Sequence, residues 1–150
     1  MKIQLLPCLL VLLLCVCGME PVEGVHETRY EKFLRQHVVN AMNIDDCTSI
    51  IKDRKIYAKD NKSGKDKCKP VNTFILTEEQ QAKAICHDGE TTVRRNKEFK
   101  KSTKDFNVVV CHIKDEKKEY PNCEYTPKQE ATYILVACDN NKLPVHLEPH

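Results

Sequence analysis

The chain is poor in several features that would narrow its function at once. It holds nine aromatic residues, four Phe and five Tyr, with no Trp, and its formal charge is only +2 over 150 residues. A charge that small is far below the density that by itself argues for nucleic-acid binding or membrane disruption. There is no internal repeat and no low-complexity domain, so nothing points to a repeat array. Beyond residue 24 no two cysteines stand in a Cys-x-x-Cys pattern. That argues against a zinc ribbon and against a thioredoxin-like redox site. The Leu/Val-rich run from Leu5 to Val16, interrupted by Pro7, is too short to span a bilayer.

What is present points to a small exported domain. Lys2 followed by that apolar run reads as a secretory signal peptide. Small residues permit cleavage after Gly18 or after Gly24; we place it after Gly24, giving a leader of residues 1–24 and one domain of residues 25–150 with a modest core. The leader takes Lys2, Glu20 and Glu23 with it, leaving 23 basic against 20 acidic side chains, or +3. This mild basicity is compatible with a polyanionic substrate. Cys8, Cys15 and Cys17 lie in the leader, and Cys47, Cys68, Cys86, Cys111, Cys123 and Cys138 remain. An even count behind a signal peptide implies three disulfides formed in an oxidising compartment, and spacing alone leaves their connectivity open. Asn61-Lys62-Ser63 is a glycosylation sequon in a polar, Lys-rich stretch.

Thr28-Arg29-Tyr30-Glu31 has the form of a capping box and predicts a helix on which Tyr30, Phe33 and His37 share a stripe widened by Leu34 and Val38. Asn43 or Asp45 is expected to cap a second helix through Cys47, Ile50 and Ile51. The hydrophilic run from Lys52 to Lys67 reads as an exposed loop. Thr77-Glu78-Glu79-Gln80 is a second capping box, leading through Ala82, Ala84 and Ile85 to Cys86. Asp88-Gly89 offers a turn. Strands are then expected from Phe106 to Cys111, over Thr132 to Cys138, and at Leu143 to Leu147, where Pro144 suits an edge or a strand start. Tyr120-Pro121-Asn122-Cys123 is a turn with a plausible cis bond. Helices first and strands afterwards predict an α+β fold with three short helices packed on a strongly twisted antiparallel sheet.

The most informative stretch is Cys68-Lys69-Pro70-Val71-Asn72-Thr73-Phe74. A Lys beside a half-cystine is held on an anchored backbone, where its ammonium can neutralise developing negative charge. The heptapeptide resembles the signature segment of the pancreatic ribonuclease superfamily. Phe33-Leu34-Arg35-Gln36-His37 is similar to that family's first-helix segment, Pro144-Val145-His146 to its terminal strand, and Tyr120-Pro121-Asn122-Cys123 to one of its turns. Arg29-Tyr30, Lys83-Ala84-Ile85-Cys86 and Leu143 to Leu147 look more like the angiogenin branch, as does the count of six cysteines.

The resemblance implies pairings Cys47–Cys111, Cys68–Cys123 and Cys86–Cys138, each closing a long loop worth about 4 kcal/mol in the chain-entropy model. It further implies an endoribonuclease, needing no cofactor and no metal, that makes the substrate's own 2′-hydroxyl the nucleophile. His37 would take that proton, His146 would protonate the departing 5′-oxygen, and Lys69 would stabilise the transition state. Gln36, Asn72, Thr73 and Leu147 would bind substrate, with Gln36 on a phosphoryl oxygen, Asn72 as a local scaffold and Thr73 reading a pyrimidine. Arg35 would be at most a remote phosphate contact. Glu148 stands where the family carries an Asp that steadies the second His; being one methylene longer, it implies a looser hold. Val110 replaces an Asp that tunes pyrimidine choice. Pro149 follows Glu148 where angiogenins carry an obstructing Gln, which implies an unobstructed base pocket.

A second reading is a signalling ligand that binds a cell-surface receptor and reaches the nucleus after endocytosis, through Lys52, Arg54 and Lys55 and through Arg94, Arg95 and Lys97 in the Asp88 to Lys97 loop. Such charges are ordinarily a solvated face, and Asp53 interrupts the first group. A third is host defence at anionic microbial surfaces, for which +3 and nine aromatics are thin support. The family likeness also makes RNA and a ribonuclease inhibitor the expected partners of a secreted monomer. His26, His87, His112 and His150 receive no role.

Overall fold

A computed structural model describes Gly24 and residues 26–149. The expected signal peptide of residues 1–24 therefore lies outside the described residues, apart from Gly24. Among these residues three α-helices and ten strands follow one another: α1 (Arg29–His37), β1 (Val38–Val39), a 3-10 turn (Ile44–Asp46), α2 (Cys47–Asp53), β2 (Ala58–Lys59), β3 (Asp66–Lys67), β4 (Val71–Leu76), α3 (Glu79–Asp88), β5 (Glu90–Arg94), β6 (Lys97–Lys101), β7 (Phe106–Ile113), β8 (Tyr125–Thr132), β9 (Leu135–Cys138) and β10 (Pro144–Glu148). The strands form two four-stranded sheets, ordered β1-β4-β7-β8 and β10-β9-β6-β5, and a two-stranded ribbon β2-β3. All pairings are antiparallel except β1 with β4, which is parallel. The α+β expectation holds, with the strands divided between two main sheets instead of one.

Sequence dictates the start of α1. The Glu31 amide donates to Thr28 Oγ1 at 3.1 Å and the Thr28 amide to Glu31 Oε2 at 2.7 Å, so two otherwise unpaired amides at the helix start are satisfied together. The helix stops where β-branched Val38 and Val39 turn extended. Those two residues pair with Ile75 and Leu76 at the end of β4. The last turn of α1, carrying Gln36 and His37, is thereby docked beside the strand that follows Cys68.

β4 and β7 carry both cores on their alternating faces. Phe74 and Val109 belong to one cluster, with Cys47, Ile51, Ile56, Cys68, Cys111 and Tyr125. Ile75 and Val108 belong to the other, with Phe33, Ala82, Ile85, Cys86, Phe106 and Val136. The period of two along paired strands produces this division. The three disulfides are Cys47–Cys111, Cys68–Cys123 and Cys86–Cys138, as the resemblance implied. The Tyr120–Pro121 bond is cis.

Four local expectations are corrected. The run from Lys52 to Lys67 is not simply a loop: Ile56 is fully buried, and β2 pairs with β3 across a turn. Asp60 Oδ1 accepts from the amides of Lys62 and Ser63 in that turn, and Gly64 supplies the left-handed φ of 69°. Thr77 does not cap α3. Its amide donates to Val39 O at 3.0 Å and its hydroxyl to Gln81, so β1 holds it, and Glu78 stands at the cap without a side-chain bond. The segment Asp88 to Lys97 is not a loop either; after α3 ends at Gly89 it is the β5–β6 hairpin, turned by Arg95 and Asn96 at φ 52° and 60°. Gly89 is required by close approach, since a Cβ there would lie 2.5 Å from Ile85 O and 2.8 Å from Lys101 O.

Finally, the apolar run from Thr132 to Cys138 is divided between the sheets. Thr132 closes β8, Leu135 opens β9, and buried Ile134 between them is fixed by Ser102, whose amide donates to Ile134 O and whose hydroxyl accepts from Ile134 N. β10 is an edge strand, and its register shifts between Pro144 and His146, where Pro144 has no amide hydrogen to donate.

Candidate active site

A cleft of ≈ 570 Å³ runs between α1, β6 and β10. His37, Gln36, Lys32, Arg29 and Phe33 line it from α1, Lys97, Glu98 and Phe99 from β6, and Val145, His146 and Glu148 from β10. The two histidines, 109 positions apart in sequence, thus share one cavity.

His37 is partly buried, its ring tilted against Phe33 with centroids 5.5 Å apart. Its Nδ1 lies 2.9 Å from Thr73 O. A carbonyl only accepts, so Nδ1 carries the hydrogen and Nε2 is left as a free lone pair. Burial, and after it the Lys69 ammonium, push this imidazole from its ordinary 6.5 down to about 3; the Thr73 bond pulls the other way, and His146 adds a smaller depression. At neutral pH the ring is therefore neutral and able to accept a proton.

Lys69 is partly buried, and its Nζ donates to Asn72 Oδ1 at 2.8 Å. Asn72, only 1% exposed, donates from Nδ2 to Gln36 O at 2.9 Å. Tyr125 completes the support by donating its hydroxyl to Lys69 O at 2.7 Å. Asn72 thus links the ammonium to the helix end that carries His37. Burial, with the charge of Lys32 as a second cause, lowers Lys69 to about 8, so it remains mostly an ammonium at pH 7.

His146 is the more open histidine, its side chain 53% exposed, with Phe99 beside the ring at 6.4 Å. Its Nε2 lies 3.0 Å from Glu148 Oε2 on the same side of β10, two residues on. The longer Glu side chain therefore does reach the ring. With Nε2–H given to the carboxylate, Nδ1 is the atom left to carry a transferable proton.

Thr73 pairs with Val110 across β4 and β7, and Val110 packs against the second core, so the position facing Thr73 is apolar. Leu147 is not among the cleft's lining residues; its side chain packs against the second core. Asn61 is exposed at the tip of the β2–β3 ribbon, its sequon hydroxyl Ser63 Oγ bonded to Asp60. Arg35 is not among the cleft's lining residues: it forms a two-pronged pair with Glu27 at 2.6 and 2.8 Å and donates to Arg54 O and Lys55 O. Arg54, expected on a receptor-binding face, donates instead to Val38 O at 2.6 Å and Arg35 O at 3.2 Å, closing the C-terminal end of α1. These two crossing arginines fix α1 against α2.

Sequence reasoning missed Arg29, Lys32, Glu98 and Phe99 as cleft residues. The i, i+3, i+4, i+7, i+8 spacing of Arg29, Lys32, Phe33, Gln36 and His37 was the available signal on α1; nothing local indicated β6. Among the described residues no group of three or more His, Cys, Asp or Glu is placed to hold a metal ion, and no helix is long and apolar enough to cross a membrane.

Residues 28–148 match the family model for pancreatic ribonuclease. The chain belongs to the pancreatic ribonuclease family. Within that family it is similar to the pancreatic ribonuclease of Mus pahari, 34% identical over 128 residues covering 81% of this chain and 80% of the relative. It is also 32% identical over 144 residues to ribonuclease-like 3 of Danio rerio, covering 94% and 93% of the two chains. Among solved structures, zebrafish RNase5 aligns with a TM-score of 0.69 at 35% identity, over 81% of this chain and 93% of that one. Green turtle egg white ribonuclease aligns at 0.65 and 30%, over 82% and 98%. This ribonuclease-family chain thus shares both sequence and fold with its relatives, and family membership supports ribonuclease activity.

Proposed function

We propose that this chain is a secreted endoribonuclease that cleaves single-stranded RNA on the 3′ side of pyrimidines, by transphosphorylation and without a metal ion. The observation that carries the reading is the shared cleft: a neutral imidazole with a free Nε2 on one wall and an imidazole oriented by a carboxylate on the other.

His37 Nε2 takes the proton from the 2′-hydroxyl as that oxygen bonds to phosphorus. The P–O5′ bond breaks, and His146 Nδ1 delivers its proton to the leaving oxygen. The products are a 2′,3′-cyclic phosphate and a free 5′-hydroxyl. Lys69 offsets the extra charge on the five-coordinate phosphorus, and Gln36 donates to a phosphoryl oxygen. No water nucleophile is needed, because the attacking oxygen belongs to the substrate, and Lys69 is near enough to His37 for its charge to depress that ring. A substrate lacking the 2′-hydroxyl cannot react this way. Thr73, opposite Val110, offers a backbone amide and a hydroxyl that either donates or accepts, which fits uracil and cytosine alike. Export follows from the leader and the three disulfides.

The test is to supply a chelator together with uridylyl-adenosine, adenylyl-adenosine and the corresponding 2′-deoxy compound. Cyclic uridine phosphate should form from the first alone. Cleavage of the deoxy compound, or loss of activity with the chelator, would refute the mechanism.

A further inference from the structure

The strand carrying His146 is an edge strand, hydrogen-bonded to the sheet on one side only. Its geometry is nevertheless demanding, because Glu148 steadies the His146 ring only while both residues stay in register on β10. Beyond the ladder pairing of Glu148 with Leu135, a side-chain contact reaches the far end. Arg94 Nη1 donates to Pro149 O at 2.8 Å, across 55 positions of sequence. Arg94 is the last residue of β5, immediately before the tight turn at Arg95 and Asn96, so its backbone is anchored by the hairpin pairing Arg94 with Lys97. On the other side of the bond, Pro149 has its φ locked by the ring and holds Glu148 to an extended conformation. Few soft rotations separate the carbonyl that Arg94 grips from the Cα of Glu148.

We infer that Arg94 is a positioning residue for the reaction proposed above, acting on His146 through Pro149 and Glu148; the inference rests on that reading. The same hairpin also supplies Phe99, whose ring lies beside His146, so β5 and β6 brace the strand at two points. The tether holds the Glu148 carboxylate on Nε2 and so keeps Nδ1 aimed at the leaving oxygen. It touches neither substrate nor reacting atoms. Its removal should weaken proton donation to the leaving group and leave proton abstraction by His37 intact.

The experiment compares two substrates. Uridylyl-adenosine expels a nucleoside alkoxide that needs a proton, whereas uridine 3′-(4-nitrophenyl phosphate) expels a phenolate that leaves without one. Arg94→Ala should lower kcat on the dinucleotide about fivefold with KM unchanged, the size of one net hydrogen bond, while the aryl ester is cleaved as by the unaltered protein. Arg94→Lys, which can still reach the carbonyl, should recover most of the loss. In a Glu148→Gln background the Arg94→Ala change should add nothing, because both act through one ring. Equal loss on both substrates, no loss on either, or full additivity with Glu148→Gln would overturn the assignment. Failure of the unaltered protein to cleave either substrate would instead refute the enzymatic reading on which it rests.

Discussion

In the proposed mechanism His37, Lys69 and His146 would each answer a different part of the chemistry, and their surroundings would set the pH behaviour. Removing the base by His37→Ala should lower dinucleotide cleavage by ~10²–10⁴-fold, measured as initial rates on uridylyl-adenosine. Lys69→Ala should reduce kcat by ~10²–10³-fold with little change in KM, since the ammonium meets its full partner only in the transition state. The free-enzyme rate profile should be bell-shaped. Because burial and Lys69 hold His37 well below 6.5, its acid limb should lie below that value; because Lys69 loses its proton from about 8, activity should decline above that pH. That His37 and His146 line one cleft could be anticipated from the sequence, since each sits in a short local pattern that resembles the family's. The role of Arg54 was not, because a charged side chain after a helix looks the same whether it meets solvent or three backbone carbonyls.

Elements decide how those side chains meet. The helix from Arg29 to His37 could be read from Thr28, Glu31 and the spacing of Phe33, and the terminal strand from Pro144 to Leu147. The division of the run from Thr132 to Cys138 could not, because the Ser102 side chain that fixes Ile134 lies 32 positions away. The hairpin from Glu90 to Lys101 was equally hidden: its turn uses Arg95 and Asn96 in left-handed conformations without a glycine, so the usual turn signal is missing. Arg54→Ala should open the end of α1 and cost about 1–3 kcal/mol in urea denaturation, with cleavage lost through misplacement of Gln36 and His37. Gly89→Ala should cost ~1–3 kcal/mol at the junction of α3 and β6, where no room exists for a Cβ.

At the scale of the whole molecule, three disulfides close loops of 52, 55 and 64 positions and hold two sheets and three helices around one cleft. A neutral, partly buried His37 also makes stability depend on pH. Its folded pKa is lowered, so the unfolded chain binds the proton first; stability should fall as pH drops from 6.5 toward 3, and His37→Gln should flatten that part of the thermal-denaturation profile. The fold class and the six-cysteine framework were accessible from the chain alone, whereas the two-sheet arrangement and the cleft wall from β6 depended on contacts between distant residues. The most direct test of the central claim is product analysis of uridylyl-adenosine treated with the unaltered protein, His37→Ala and His146→Ala, each checked by circular dichroism for an intact fold. The unaltered protein should give 2′,3′-cyclic uridine phosphate and adenosine, with near-complete loss in either variant. Undiminished formation of the cyclic product by either folded variant would contradict it.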